Sequence, residues 1–447
     1  MTYDIIVGRS KSDKEKFGDM GTIFLGRHYV KMGQTVSLSS NIRMDVARAH
    51  VVLVSGKRGS GKSYSLGVMA EEMSSLPEEV SKNLGILIFD TMGIFWTMKY
   101  PNLKDEDLLN AWSLSPGKLD TVDVYTPHGF AKEYRRRKIP VDFPFSIRTS
   151  ELSAGDWANV FGIELLDPIG ILIERVISNF QDTKKAYSIQ DVMDVIKKED
   201  VEKNVRDAAI NLFGATTSWG LFSERGTEIK DLIKPGRVSV LDISAYSNIS
   251  GNWGIKNLVV GLISKKLLME RMTARKFEEI QNIESGESYF GFDSKKNKKE
   301  EMPLVWLMID EAHEFLPREG KTASSAALIQ LLREGRQPGI SMVLATQQPG
   351  EIHRDVITQS DIVLSHRVTA KKDIEALNNM MQTYLLSDIQ TYINNLPRMK
   401  GSAIILDDNS ERIFPVNVRP RITWHGGEAP SAVKGKHKEL EELGLEL

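Results

Sequence analysis

The segment "HVVLVSGKRGSGKSYSL", residues 50–66, constrains this chain more than any other stretch. An apolar run that reads as a buried strand ends at Ser55. It is followed by Gly56, Lys57, Arg58, Gly59, Ser60, Gly61, Lys62, Ser63 and Tyr64, with a helical pattern opening at Lys62. The run satisfies G-x-x-x-x-G-K-[ST] in the strand–loop–helix context that gives the pattern its meaning. Glycines let successive backbone N–H groups turn inward as a nest. The helix N-terminus adds the positive end of its dipole, so the loop is predicted to hold phosphate oxygens. Lys62 is expected to reach the β and γ phosphates of ATP, and the Ser63 hydroxyl to bind Mg²⁺. The alternative is a glycine-rich turn with incidental charges, and the strand before and helix after argue against it.

The rest of the chain supplies the sheet that such a loop needs. "GILIFDT", "RVSVLDIS", "PLVWLMIDE", "ISMVLATQQ" and "DIVLSHRV" are short apolar runs ending near polar residues, and "VDVYTP" adds an outer strand at 122–127. Continuous apolar strands separated by helical stretches predict an α/β fold with a parallel sheet covered on both faces. Residues 1–48 carry alternating runs that suit a small β module. Core segments are expected at 49–128 and 236–425, with a tail at 426–447. Between them, 129–235 reads as a helical insertion, with Ser150 or Ser153 capping its first helix. The polar stretch "FEEIQNIESGESYFGFDSKKNKKEEMP" is read as an exposed, mobile insertion.

Bulk composition narrows the function classes. The 447 residues hold 58 basic and 60 acidic side chains, a formal charge of −2, so any nucleic-acid contact must be local. With no cysteine, disulfides, thiolate catalysis and Cys-ligated zinc are out. The start lacks a secretory pattern and no apolar run is long enough to span a membrane, so a cytoplasmic protein is expected.

Chemistry is concentrated at strand ends. "PLVWLMIDEAHEF" places Asp310 and Glu311 at the end of a buried strand, where adjacent carboxylates are costly unless a cation or polarised water uses them. Asp310 is expected in the Mg²⁺ shell and Glu311 as the base that orients and deprotonates the attacking water; the alternative is a helix cap. His313 is given no role in hydrolysis. Asp90, ending "ILIFD", is a candidate to support metal or water, or a cap. Thr346 and Gln347 end "SMVLATQQ", where a γ-phosphate sensor would sit. "LLREGRQPG" offers Arg333 and Arg336, and "SDIVLSHRV" offers Arg367, as candidate arginine fingers. Cations satisfying a helix C-terminus are the alternative for Arg336 and Arg367.

In combination, "GKRGSGKS", "LMIDEAHEF", "LLREGRQPGISMVLATQQP" and "ITQSDIVLSHRVTAKKDIEAL" resemble the HerA helicase–translocase family, in the FtsK–HerA branch of RecA-like P-loop ATPases. "KPGRVSVLDIS" and "LPRMKGSAIIL" followed by "FPVNVRP" resemble the same core, and "LGRHYVKMGQTVSLSSN" resembles the family's small β-barrel. The resemblance spans most of residues 20–425. It implies a hexameric ring that threads double-stranded DNA through its pore using ATP. Lys62 and Ser63 would bind nucleotide and metal, Asp310 and Glu311 form the acidic motif, Gln347 act as sensor and Arg336 act in trans. One departure is "DTMGIF", where Ile94 stands in place of an acidic residue and weakens a metal role for the Asp90 loop.

The resemblance also implies a nuclease or antiviral-defence effector as partner. DNA phosphates have two candidate contacts, the basic run at 133–138 and the loop bearing Arg318 and Lys321; a solvated basic turn is the alternative for the former. The competing function is a scaffold ATPase whose nucleotide state activates a partner with little DNA movement. A membrane-coupled pump is the weaker third.

Overall fold

The apolar runs all form strands of one sheet. The computed structural model describes residues 4–32, 35–183, 186–248, 254–288, 302–380, 389–394, 396–397 and 399–428. Its strands are β1 (Ile5–Val7), β2 (Thr22–Met32), β3 (Thr35–Asp45), β4 (Val51–Ser55), β5 (Leu84–Asp90), β6 (Val122–Pro127), β7 (Phe143–Phe145), β8 (Val238–Asp242), β9 (Leu304–Ile309), β10 (Ile340–Thr346), β11 (Ile362–His366), β12 (Ser402–Asp407) and β13 (Arg412–Val418). Their order is β1-β3-β2-β13-β12-β11-β4-β10-β9-β5-β8-β6-β7.

From β11 to β7 every neighbouring pair is parallel. Parallel strands need crossovers that cover both faces, which is why β5, β8 and β10 are buried along their whole length. Alternate residues divide into two cores. Leu53, Phe89, Leu307 and Leu344 face one cluster with the insertion helices. Val54, Ile88, Met308 and Val343 face a second cluster with Leu66 and Met69 of the helix Lys62–Ser74.

The N-terminal β module is a long β2–β3 hairpin with β1 added in parallel to β3. It continues the core sheet through β13, where Val416 faces His28 and Val418 faces Gly26. The insertion packs the helices Ala154–Phe161, Pro168–Thr183, Ile189–Ile196 and Lys203–Thr216 around Trp157. Of the two serines considered as its first cap, Ser153 serves: its side chain accepts from Asp156 N, and Asp156 returns the bond in a capping box.

One expectation is corrected. The polar stretch that begins at Phe277 reads in the sequence as an exposed, mobile insertion, but its first part completes the helix Ile255–Ser288. Glu, Gln, Lys, Arg and Met are strong helix formers, and Arg275 pairs with Glu279 one turn on. Phe277, Ile280 and Ile283 are exposed there, as expected of that stretch. Residues 289–301 of the stretch, and the tail "GKHKELEELGLEL", lie outside the described residues.

Candidate nucleotide-binding site

Because β4 and β9 run parallel with only β10 between them, their C-terminal ends open on the same edge of the sheet. The glycine loop leaves β4 there. Gly56 has φ 155, and a Cβ on it would lie 2.3 Å from Ser60 Oγ and 2.8 Å from His366 Cβ, so only glycine fits. Gly61, at φ 111, caps the helix Lys62–Ser74. The first N–H groups of that helix have no acceptor within it, which leaves them for an anion. The loop is braced from the neighbouring strand: Lys57 N donates to Arg367 O at 3.0 Å, and Ser60 N to Lys57 O at 3.1 Å.

The acidic strand meets the loop directly. Ser63 Oγ donates to Asp310 Oδ2 at 2.5 Å. Lys62 is buried, and its Nζ reaches Lys57 O at 3.4 Å. Burial pushes this ammonium down, while the Glu311 and Asp310 charges pull it back up. Glu311 sits at φ 51, in the left-handed region that a non-glycine residue occupies only under constraint. Its N–H donates to Asp310 Oδ1 at 2.9 Å, while its own Oε2 is buried without a hydrogen-bond partner. Burial first, and the Asp310 charge second, raise the Glu311 carboxyl to about 7. His313 Nδ1 stands 3.5 Å from Glu311 Oε2 and 3.3 Å from Thr346 Oγ1, and burial pushes this imidazole down. His313 was given no role in hydrolysis from the sequence, and in the fold it links Glu311 to the end of β10.

Gln347 follows β10, half-buried between the glycine loop and the acidic pair. Arg367 follows β11 on the other side of the loop, so it borders the phosphate site of its own chain. His366, which sequence reasoning missed, lies fully beneath the loop. Its Nε2 pairs with Ser65 Oγ at 2.9 Å and its Nδ1 with Ser402 O at 3.2 Å. Burial holds it at about 4, so it stays neutral beside the cationic loop. The only signal was a polar residue ending the buried run "DIVLSH".

Asp90 ends β5, one strand beyond β9. Its Oδ1 accepts from Gly93 N at 2.8 Å and its Oδ2 from Phe95 N at 2.7 Å, in the turn that leads into the short helix Phe95–Lys99. Burial and the Asp242 charge raise it to about 7. Among the described residues no hydrogen bond joins it to Ser63, Asp310 or Glu311.

A family model described as the central domain of helicase HerA matches residues 23–267, more than half of the chain. The chain belongs to the HerA helicase family. It is 21% identical over 328 residues to a probable DNA double-strand break repair helicase HerA of Methanocaldococcus jannaschii, covering 70% of this chain and 61% of that protein. With the HerA of Sulfurisphaera tokodaii it shares 22% over 349 residues, 76% of this chain and 58% of the relative. The chain thus spans about three-fifths of the length of these HerA relatives. In fold it is similar to VirB4 of Thermoanaerobacter pseudethanolicus, with a TM-score of 0.52 at 12% identity over 89% of this chain and 96% of that one. The core is therefore an α/β RecA-like P-loop sheet. No helix among the described residues is long and apolar enough to cross a membrane.

The remaining candidates of this HerA-family chain lie away from the loop. Arg336 is exposed in the turn before β10, so the seven residues of that strand, about 20 Å at ~3.3 Å each, separate it from the end that bears Gln347. Arg333 beside it is tied to Asp355 at 2.6 Å. Tyr64 turns away from the phosphate loop: its hydroxyl accepts from Arg421 N at 2.6 Å. The basic run at 133–138 ends the exposed helix His128–Arg136. Arg318 Nη1 donates to Gly350 O at 3.1 Å, which ties its loop to the segment that follows Gln347.

Proposed function

We propose that this chain is an ATP-hydrolysing ring motor that translocates on or unwinds double-stranded DNA, assembled as a homo-hexamer. It would work beside a nuclease or other effector in DNA end processing or antiviral defence. The observation that carries the reading is the Ser63–Asp310 hydrogen bond, with Lys62 and Glu311 converging on it. The names of the HerA relatives, DNA double-strand break repair helicases, support DNA as the track.

The loop 56–61 and the start of the helix Lys62–Ser74 cradle phosphate oxygens, and Lys62 donates to the β and γ phosphates. Ser63 and Asp310 would hold Mg²⁺: their oxygens are the hard donors that this ion takes, and they already converge within hydrogen-bond distance. When bound, the ion would offset charge on the β and γ phosphates. Glu311 takes the proton of the attacking water as the oxygen bonds to the γ-phosphorus and the bond to ADP breaks. Its unpartnered Oε2 and raised proton affinity suit a base working near neutrality. Gln347 senses the γ-phosphate from β10.

Arg336 acts in trans. The length of β10 removes it from its own site, and a finger delivered by a neighbour contributes about 10³- to 10⁵-fold in rate. Arg367 instead contacts the nucleotide of its own chain. Arg318 and Lys321 touch the DNA backbone without reading bases.

The test is steady-state ATP hydrolysis by the purified chain with and without linear duplex DNA, together with its mass in solution. Stimulation by DNA in a particle of six chains is expected. A ring indifferent to DNA that a partner protein alone switches on would replace the motor with the scaffold reading.

A further inference from the structure

The turn that carries Arg336 is braced from behind by a second arginine. Arg271, in the helix Ile255–Ser288, is fully buried. Its Nε donates to Pro338 O at 2.8 Å, and its Nη1 donates to Met302 O at 2.8 Å and to Glu278 Oε1 at 2.9 Å. Pro338 lies in the turn before β10, and Met302 just before β9. One guanidinium therefore ties together the starts of the two strands whose far ends bear Gln347 and Glu311.

A buried cation is strongly unfavourable unless its donors are used, and an apolar side chain would fill the same space without that penalty. What arginine adds here is a rigid planar fork of donors that fixes two carbonyls at once. The turn is closed by its own bonds too. Ile340 N donates to Gly335 O at 2.8 Å, Gly339 N to Arg336 O at 3.3 Å, and Val305 N to Gly339 O at 3.0 Å. Gly339 has φ 82, and a Cβ there would lie 2.4 Å from Leu304 Cδ2 and 3.4 Å from Arg271 Nη2. The turn thus sits against the guanidinium with no room for a side chain. The backbone of the turn is thus held at Gly335, Arg336, Pro338 and Gly339, while the side chain of Arg336 is exposed, next to that of Gln337.

We infer that Arg271 is a positioning residue for the trans-acting Arg336, fixing the turn that aims this finger at the neighbouring subunit. The inference rests on the reading of Arg336 given under Proposed function. A finger acts by placing charge against a developing charge, and a misplacement of about 1 Å can cost ~100-fold in rate.

The experiment uses basal ATP hydrolysis by rings of Arg271→Met alone and mixed with Glu311→Gln chains, with Arg336→Ala treated identically in parallel. Arg271→Met alone should lose roughly 10- to 100-fold in kcat, with nucleotide affinity and ring mass as in wild type. Mixing should restore turnover, because an intact site on the Arg271→Met chain then receives an intact finger from a Glu311→Gln neighbour. Restoration for Arg336→Ala but not for Arg271→Met would overturn the inference alone. Restoration for neither would overturn the finger reading and the inference with it. Glu278→Gln loosens Arg271 from a half-exposed position, so it serves if Arg271→Met does not fold. It should lower kcat more mildly, with the same rescue; a lowered melting temperature at unchanged kcat would leave Arg271 a purely structural role.

Discussion

The Ser63 hydroxyl donates to Asp310 Oδ2 across 2.5 Å, although 247 positions separate the two residues in the chain. The bond joins the phosphate loop to the acidic strand over the intervening β10. Asp310→Asn keeps the shape but weakens the acceptor and removes the charge. The magnesium concentration for half-maximal hydrolysis should rise by roughly 10- to 100-fold, read from a Mg²⁺ titration of ATPase rate. An unchanged midpoint would remove Asp310 from the metal shell.

Lys62 and Glu311 should separate binding from chemistry. Lys62→Ala should abolish nucleotide binding, because no other buried cation faces the loop from its own helix. Glu311→Gln should bind a fluorescent ATP analogue normally and fail to turn over. Near-wild-type turnover by Glu311→Gln would mean that another group takes the proton.

His50 should make stability depend on alkaline pH. Its Nδ1 lies 2.6 Å from Asp361 Oδ2 and its Nε2 lies 2.9 Å from Asp45 Oδ2, and Asp45 is also bound by Arg9. Burial pushes the imidazole down, but the two carboxylates hold it up, at about 9. A folded-state value above the unfolded one of ~6.5 adds stability that is fully present below that pH and lost as pH rises through about 9. The thermal midpoint should therefore fall across this window in wild type, and fall less in His50→Gln. Parallel curves for the two proteins would show that His50 is not the group responsible.

Glu71 should be costly to neutralise. It is fully buried on the phosphate-loop helix and accepts from Arg419 Nη2 at 3.0 Å, Arg421 Nε at 3.2 Å, and the backbone of Ile422 and Thr423. Glu71→Gln leaves the buried Arg421 guanidinium short of its counter-charge and Arg419 with Glu72 alone, and removing one partner of a buried pair costs about 3–5 kcal/mol. Denaturant unfolding should register that loss. A change of under about 1 kcal/mol, the range of an exposed pair, would show that water reaches the network.

Much of the site was legible in the residues alone, because its signals are local. A glycine at a left-handed φ, an apolar run closing on two carboxylates and a Ser–Asp capping box each declare their chemistry within a few positions. That is why "GKRGSGKS", Asp310 and Glu311 were recognisable as candidates without coordinates, as were the strands themselves, and why the cap narrowed to Ser150 or Ser153. The end of the long helix was misread for the opposite reason. The charges of "FEEIQNIES" mark a solvated surface equally well in a helix or a loop.

Strand order lies beyond any local signal, since it follows from which apolar faces pack together across the whole chain. Only the order β4-β10-β9 brings Ser63 to Asp310 and sets Gln347 between them. Only the placement of β11 beside β4 slides His366 beneath the loop and gives Lys57 an acceptor in Arg367. Two arginines 65 positions apart in the sequence, Arg271 and Arg336, become one unit because a helix happens to cross the start of β10. Local chemistry named the parts of this protein, and long-range packing, which no stretch of sequence encodes alone, decided which of them touch.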